Sequence, residues 1–311
     1  YFNISIISPL WNIYRSWYQM NFSNLLKNKF FSLTICLLIY IFVFWISYNL
    51  LPTSINSIWI KITIWHLYAT CFIYLFSVLF NNSSLYDPFW SVAPIPIVLY
   101  LSFNFMNSVE VLLLVLTPVL FWALRLTYNW ALNWKGFHHE DFRYVDLKDT
   151  NLIKAQFNNF FGIHIIPTLI VNISLYPILF ILSTEAVGNT YLYIASIFTL
   201  SAVILETVAD NQMRFFRSNK DNKRKTMRYK LWKYSRHPNY LGELMFWFGI
   251  YFMGISSLTA PTILIICPLI MLFLFVFISC PMMDKRSLKN RDDYEDYMRN
   301  TSQLFLYPPK S

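Results

Sequence analysis

Residues 234–243 read YSRHPNYLGE and set Arg236, His237, Asn239 and Glu243 beside a proline, a glycine and two tyrosines. That much polarity in so apolar a chain asks for a ligand. A guanidinium clamps a phosphate through two parallel hydrogen bonds, and the rings of Tyr234 and Tyr240 offer faces for stacking. Pro238 restricts the backbone and Gly242 permits close approach. The preceding loop, 211–239, carries ten Lys and Arg residues, counting Arg236. Such a loop either binds a polyphosphate or simply stays on the positive side of a membrane. Its cation count alone favours the second explanation; the polar stretch that ends it favours a ligand.

A second set of polar groups lies inside apolar segments. Arg125, Glu206, Asp210 and Glu243 each fall within a hydrophobic run or its last turn. An ionisable group placed there costs about 2.5–3.5 kcal/mol on insertion scales and faces a partner or a cavity. Glu206 and Asp210 are four residues apart and share one helix face. Their like charges require a cation opposite, for which Arg125 and Arg236 are the candidates. Such a cluster is either a structural ion-pair network or the wall of a polar cavity. His66 and His164, also in apolar runs, lack a clustered second ligand and read as hydrogen-bonded core histidines. The four cysteines have no metal-ligand spacing and read as packing residues, so no metal is expected.

The elements that must position these groups are hydrophobic helices. Of the 311 residues, 56% are hydrophobic, 20% aromatic and only 13% charged, against about a quarter charged in soluble domains. Runs near 20 apolar residues span a bilayer, and about eight qualify: 30–51, 58–80, 89–105, 109–130, 160–183, 190–210, 240–256 and 259–280. The third and seventh are the weakest, being short and polar at one end. With eight crossings, every Lys and Arg except Lys61 lies on one side or at its boundary. That side is the cytosolic or matrix face, and both termini lie there. The expected fold is therefore an all-α, polytopic membrane bundle. The net charge of +9 follows from retention on that face and contact with anionic headgroups, with no need for nucleic acid. Residues 9–29 read as an interfacial helix on the basic face, 30–80 as a transmembrane hairpin, and 81–311 as the membrane domain that carries the chemistry.

RLTYNW (125–130), HEDFRY (139–144), ETVADNQ (206–212) and LWKYSRHPNYLGE (231–243) occur in that order. Together they resemble the motifs of the DUF1295 family, which is related to steroid 5-alpha-reductases and sterol C14-reductases. The resemblance covers roughly residues 80–310 and includes DDYEDYMRNTSQLFLYPP (292–309). It implies a helical membrane fold whose C-terminal half cups NADPH in a pocket open to the cytosol. Arg217, Arg236, His237, Asn239, Tyr240 and Glu243 would line that pocket, with Arg125, Asn129, Arg143 and Asp210 completing it and Tyr234 or Tyr240 stacking on a ring. The substrate would be a hydrophobic small molecule entering from the lipid, and hydride would add to its activated double bond. DPFW (87–90) resembles the family's DxxW element, which makes Asp87 the candidate acid; Tyr128 is a second candidate. Read without the resemblance, Asp87 simply begins a helix ahead of Pro88.

The chain also departs from the family pattern. Met213 stands where a lysine is usual after ADxQ, Lys230 and Ser91 stand where glycines are usual, and Cys280 and Asp284 replace the glycine and glutamate of SGxPxxE. These departures support an alternative in which the fold serves as a structural subunit of a larger membrane assembly, holding a nucleotide or a bound phospholipid. The RHPxYxGE element also resembles that of isoprenylcysteine carboxyl methyltransferases, which makes an S-adenosylmethionine-dependent membrane methyltransferase a third reading. The composition fits the mitochondrial inner membrane and the endoplasmic reticulum equally.

Overall fold

The computed structural model describes residues 25–148, 151–184, 187–257 and 260–309. Among the described residues all regular structure is helical. The interfacial helix expected over 9–29 lies outside the described residues as far as residue 24. Six helices are long and apolar enough to cross a membrane: α1 (Lys29–Asn49), α2 (Ile58–Leu79), α4 (Val109–Asn133), α6 (Leu152–Ser183), α7 (Thr190–Ser218) and α9 (Thr262–Asn290). Two further segments expected to span form helices at the expected places. α3 (Pro94–Asn104) has only 11 residues, and α8 (Pro238–Ile255) has 18 but begins with polar residues. Two short helices, α5 (Phe142–Lys148) and α10 (Tyr294–Asn300), complete the set used below.

The chain divides into two compact units, one formed up to Ala93 and by Leu126–Leu169, the other by Pro94–Arg125 and Ile170–Ser311. The first unit has an aromatic core around Phe89, which meets the rings of Tyr40, Phe44 and Tyr86 at 5.6–6.2 Å. Buried polar side chains in this unit are partnered across helices. His164 bonds Ser77 at 3.1 Å and the carbonyl of Asn159 at 2.8 Å, and Thr168 bonds both Thr70 and Tyr86. His164 is thus a hydrogen-bonded core histidine; His66 is buried against the ring of Phe89.

The second unit is organised by α7 against α8. A Cβ on Gly242 would lie 2.8 Å from the backbone nitrogen of Glu206, and one on Gly249 would lie 2.1 Å from the Thr199 hydroxyl. These glycines are seven positions apart, so they fall on one face of α8 and let the two backbones approach closely. The close approach that Gly242 permits is therefore to a neighbouring helix.

Two helices contain wide π-type turns, at Asn158–Ile165 and Phe275–Ser279, each ending two residues before a proline, Pro167 or Pro281. Proline lacks an N–H and its ring collides with the carbonyl four residues back. Widening the preceding turn lets the helix continue through that defect.

Candidate functional site

In the second unit, α4, α7 and α8 bring the intramembrane charges together. Arg125 on α4 donates to Asp210 Oδ2 at 2.8 Å and to Glu206 Oε1, both on α7. It is the cation that the shared acidic face requires. Asn239, in the first turn of α8, donates to Asp210 Oδ1 at 3.1 Å. One turn further, Glu243 accepts from the indoles of Trp122 at 2.9 Å and Trp247 at 2.8 Å. The helix therefore carries a polar rung where its neighbours supply matching donors. Within this rung the buried Arg125 Nε has no hydrogen-bond partner among the described residues.

Arg236 and His237 lie just before α8 and converge on Asp284 of α9. Arg236 Nη2 donates to Asp284 Oδ2 at 2.8 Å, His237 Nε2 lies 2.9 Å from Oδ1, and the Tyr294 hydroxyl donates to Oδ1 at 2.5 Å. Arg236 Nη1 donates to the carbonyls of Met298 and Thr301 at 2.8 and 2.9 Å. The terminal segment runs back along the motif. Arg236 N donates to Ser302 O, Ser235 Oγ to Leu304 O, and Tyr307 N to Tyr234 O. The two stretches, read separately in the sequence, thus form one structure. The His237 ring stacks on Tyr240 at 5.4 Å, Tyr234 is 39% exposed, and Arg217 is exposed near the end of α7.

In the first unit, the NNSSLYDPFW loop is fastened to the HEDFRY segment. Ser83 N donates to Glu140 at 2.6 Å, Asp141 N to the Ser84 hydroxyl at 2.9 Å, and Asn82 to the carbonyls of Phe137 and His139. The result seats Asp87 against two side chains of α5. Arg143 Nη2 donates to its Oδ1 at 3.0 Å and the Tyr144 hydroxyl donates to the same oxygen. Arg143 Nε is held by Asp141 at 2.7 Å. Burial pushes the Asp87 carboxyl up to about 6, although Arg143 and Tyr144 both pull it down. Burial and the neighbouring Asp87 hold the Tyr144 phenol well above its ordinary value. Asn129 is half-buried and Tyr128 is 62% exposed on α4. Tyr144 was missed as an Asp87 partner in the sequence, although it closes the HEDFRY motif and so carried a signal.

Residues 73–301 match the family described as "Protein of unknown function (DUF1295)". The chain belongs to the DUF1295 family. No curated protein and no solved structure matches it.

The positions where this DUF1295 protein departs from the pattern have distinct surroundings. Met213 is buried with Met227 and Trp232, so apolar packing stands where a lysine is usual. Asp284 keeps a carboxylate at the junction of Arg236, His237 and Tyr294. Ser91 donates to the carbonyl of Pro88 at 2.9 Å, and Cys280 is fully buried. Lys230 has φ 55° and ψ −131°, a backbone conformation suited to glycine. A side chain held in so sparsely populated a region costs about 1–3 kcal/mol. Lys230→Gly is therefore expected to raise the thermal unfolding midpoint of the purified protein in detergent; a lowered midpoint would refute the strain.

Proposed function

We propose that this membrane-embedded protein is an NADPH-dependent reductase of an activated double bond in a hydrophobic substrate. The observation that carries the reading is Asp87, a largely buried carboxyl pushed up to about 6 and hydrogen-bonded to Tyr144. A carboxyl tuned in that way holds a proton closer to neutral pH than an ordinary aspartate and can deliver it to a carbon or carbonyl. The resemblance of the motifs to those of steroid and sterol reductases supports the same chemistry. In this reading eight helices cross, with α3 and α8 as the additional pair, both termini lie on the cytosolic or matrix side, and the chemistry belongs to the region from about residue 81 onward. The membrane is the mitochondrial inner membrane or the endoplasmic reticulum.

The residues of the second unit fit a nucleotide. Arg217 presents an exposed guanidinium near the end of α7, a donor suited to a phosphate. Arg217 and Arg236 would hold phosphates, Asp210 and Asn239 a ribose hydroxyl or an amide, and Tyr234 or Tyr240 a ring. His237 and Glu243 would position these groups through Asp284 and the two indoles. When bound, NADPH supplies the hydride. Asp87 holds the proton for the other end of the double bond, Tyr144 fixes the carboxyl's orientation, and Arg143 limits how far its affinity for the proton rises.

A second reading, a structural subunit with a retained fold, is favoured by one observation. Both Nη groups of Arg236 are committed to Asp284, Met298 and Thr301. Calorimetric titration of the detergent-solubilised protein with NADPH, NADH and S-adenosylmethionine separates the readings. Saturable binding selective for NADPH is expected, weakened in Arg236→Ala by about 1.5–3 kcal/mol, the scale of a charge-assisted hydrogen bond. Absence of nucleotide binding favours the subunit, and selective binding of S-adenosylmethionine overturns the reductase. The variant's melting curve, recorded alongside, shows whether weakened binding reflects loss of the fold.

A further inference from the structure

Beyond the polar rung, the end of α7 and the loop that follows form a second polar feature. A cleft of about 530 Å³ is lined by Arg217, Lys220, Lys223, Arg224, Lys225 and Arg291. These cations come from two stretches of chain far apart in sequence, and they meet around one concavity. The loop is held in shape: Asn222 donates to the carbonyl of Phe216 at 2.8 Å, Asn219 caps the turn at Lys220–Asn222, and Arg224 is fixed to Asp292 at 2.7 Å. Retention of positive charge on one face of a membrane explains cations in a loop. It does not explain their convergence from two distant stretches of chain on one open cleft.

The cleft has an apolar continuation. Phe216, Asn219 and Asn222 also line a neighbouring hollow of about 640 Å³ that includes Val208, Phe215 and Met227. Val208 and Gln212 then pass into a shallow groove along α7 that includes Ile204 and Leu205. Ile204 and Phe215 are 58% and 81% exposed on a helix long and apolar enough to span a bilayer. The three hollows form one strip: cationic at the loop, amide and aromatic in the middle, and mostly aliphatic toward the centre of α7, with Lys230 at the edge of the last two. That order matches a lipid at a bilayer surface, with its phosphate at the water boundary and its chain along the helix.

We propose that this strip is a binding site for an anionic glycerophospholipid, with the headgroup phosphate in the cleft and one acyl chain in the groove beside Ile204 and Val208. Six converging cations attract a headgroup without a compensating ammonium and repel the choline of a zwitterionic one. The cleft shares Arg217 with the residues assigned to the nucleotide, whereas Lys220, Lys223 and Arg291 lie outside them, so a variant confined to the two lysines tests this site without touching that reading.

Native mass spectrometry of the detergent-purified full chain tests the site, using dioleoyl phosphatidylglycerol, dioleoyl phosphatidylcholine, dihexanoyl phosphatidylglycerol and inorganic phosphate as probes. Dioleoyl phosphatidylglycerol should bind at least about tenfold more tightly than the choline lipid, the scale expected from two or more basic residues near an anionic surface. The Lys220→Glu/Lys223→Glu variant should lose that preference while keeping its melting midpoint, since both side chains are exposed. Retention of the preference in this variant overturns the proposal. Equal affinity for inorganic phosphate, dihexanoyl and dioleoyl phosphatidylglycerol also overturns it, because the cleft would then be a site for a free phosphate.

Discussion

Arg125→Met is expected to destabilise the second unit by about 3–5 kcal/mol, the usual result of removing one partner from a buried ion pair. The guanidinium bridges Glu206 and Asp210, with side-chain exposures of 10%, 6% and 17% for Arg125, Glu206 and Asp210. Without it, two carboxylates of α7 and the nearby Glu243 of α8 remain in an apolar segment without the guanidinium that bridges them. Arg125→Lys should recover only part of the loss, because one ammonium does not reproduce the two-pronged bridge. Adding Glu206→Gln to Arg125→Met should recover more, since it removes a charge left behind. Thermal melts in detergent, followed by tryptophan fluorescence, provide the measurement. An unchanged midpoint in Arg125→Met would show that the cluster is not structural and that Arg125 serves a ligand alone.

The second large effect concerns the acid. With a steroid enone as probe, Asp87→Asn should lower the rate of NADPH oxidation by about 10²–10⁴-fold, the range for loss of a general acid, while leaving NADPH affinity unchanged. The pH dependence has a definite sign. The protonated carboxyl is the active form, so wild-type rate should fall as pH rises through about 6. Arg143 pulls this proton affinity down by stabilising the carboxylate. Arg143→Ala should therefore move the falling limb to higher pH. Tyr144→Phe removes a hydrogen bond to the same carboxylate and should move it the same way. A wild-type rate and profile in Asp87→Asn would exclude Asp87 as the acid.

These two predictions draw unequally on what could be read from the residues. The shared face of Glu206 and Asp210 was legible because helical periodicity converts a four-residue spacing into adjacency. The same logic required an opposing cation, and Arg125 provides it. Asp87 was legible as a candidate through its DPFW context, whereas the partner that orients it was not. Tyr144 lies 57 residues away in the chain, and no local rule relates the two. Asp284 illustrates the same limit. As a departure from the usual glutamate it looked like a loss, yet it joins Arg236, His237 and Tyr294. Lys230 was half legible. A usual glycine means either close backbone approach or positive φ, and the structure shows the second, with φ 55° at Lys230.

The sequence alone therefore determined the environment and the family. Long apolar runs permit only a helical membrane protein, because a backbone in lipid must satisfy its own hydrogen bonds, and ordered motifs over 73–301 place the chain in DUF1295. Only the tertiary structure decided which charge meets which. Pairings such as Arg125 with Asp210, Arg236 with Asp284 and Asp87 with Tyr144 depend on how helices distant in sequence pack, and in two places that packing depends on a glycine, Gly242 or Gly249, that leaves room for a neighbouring helix.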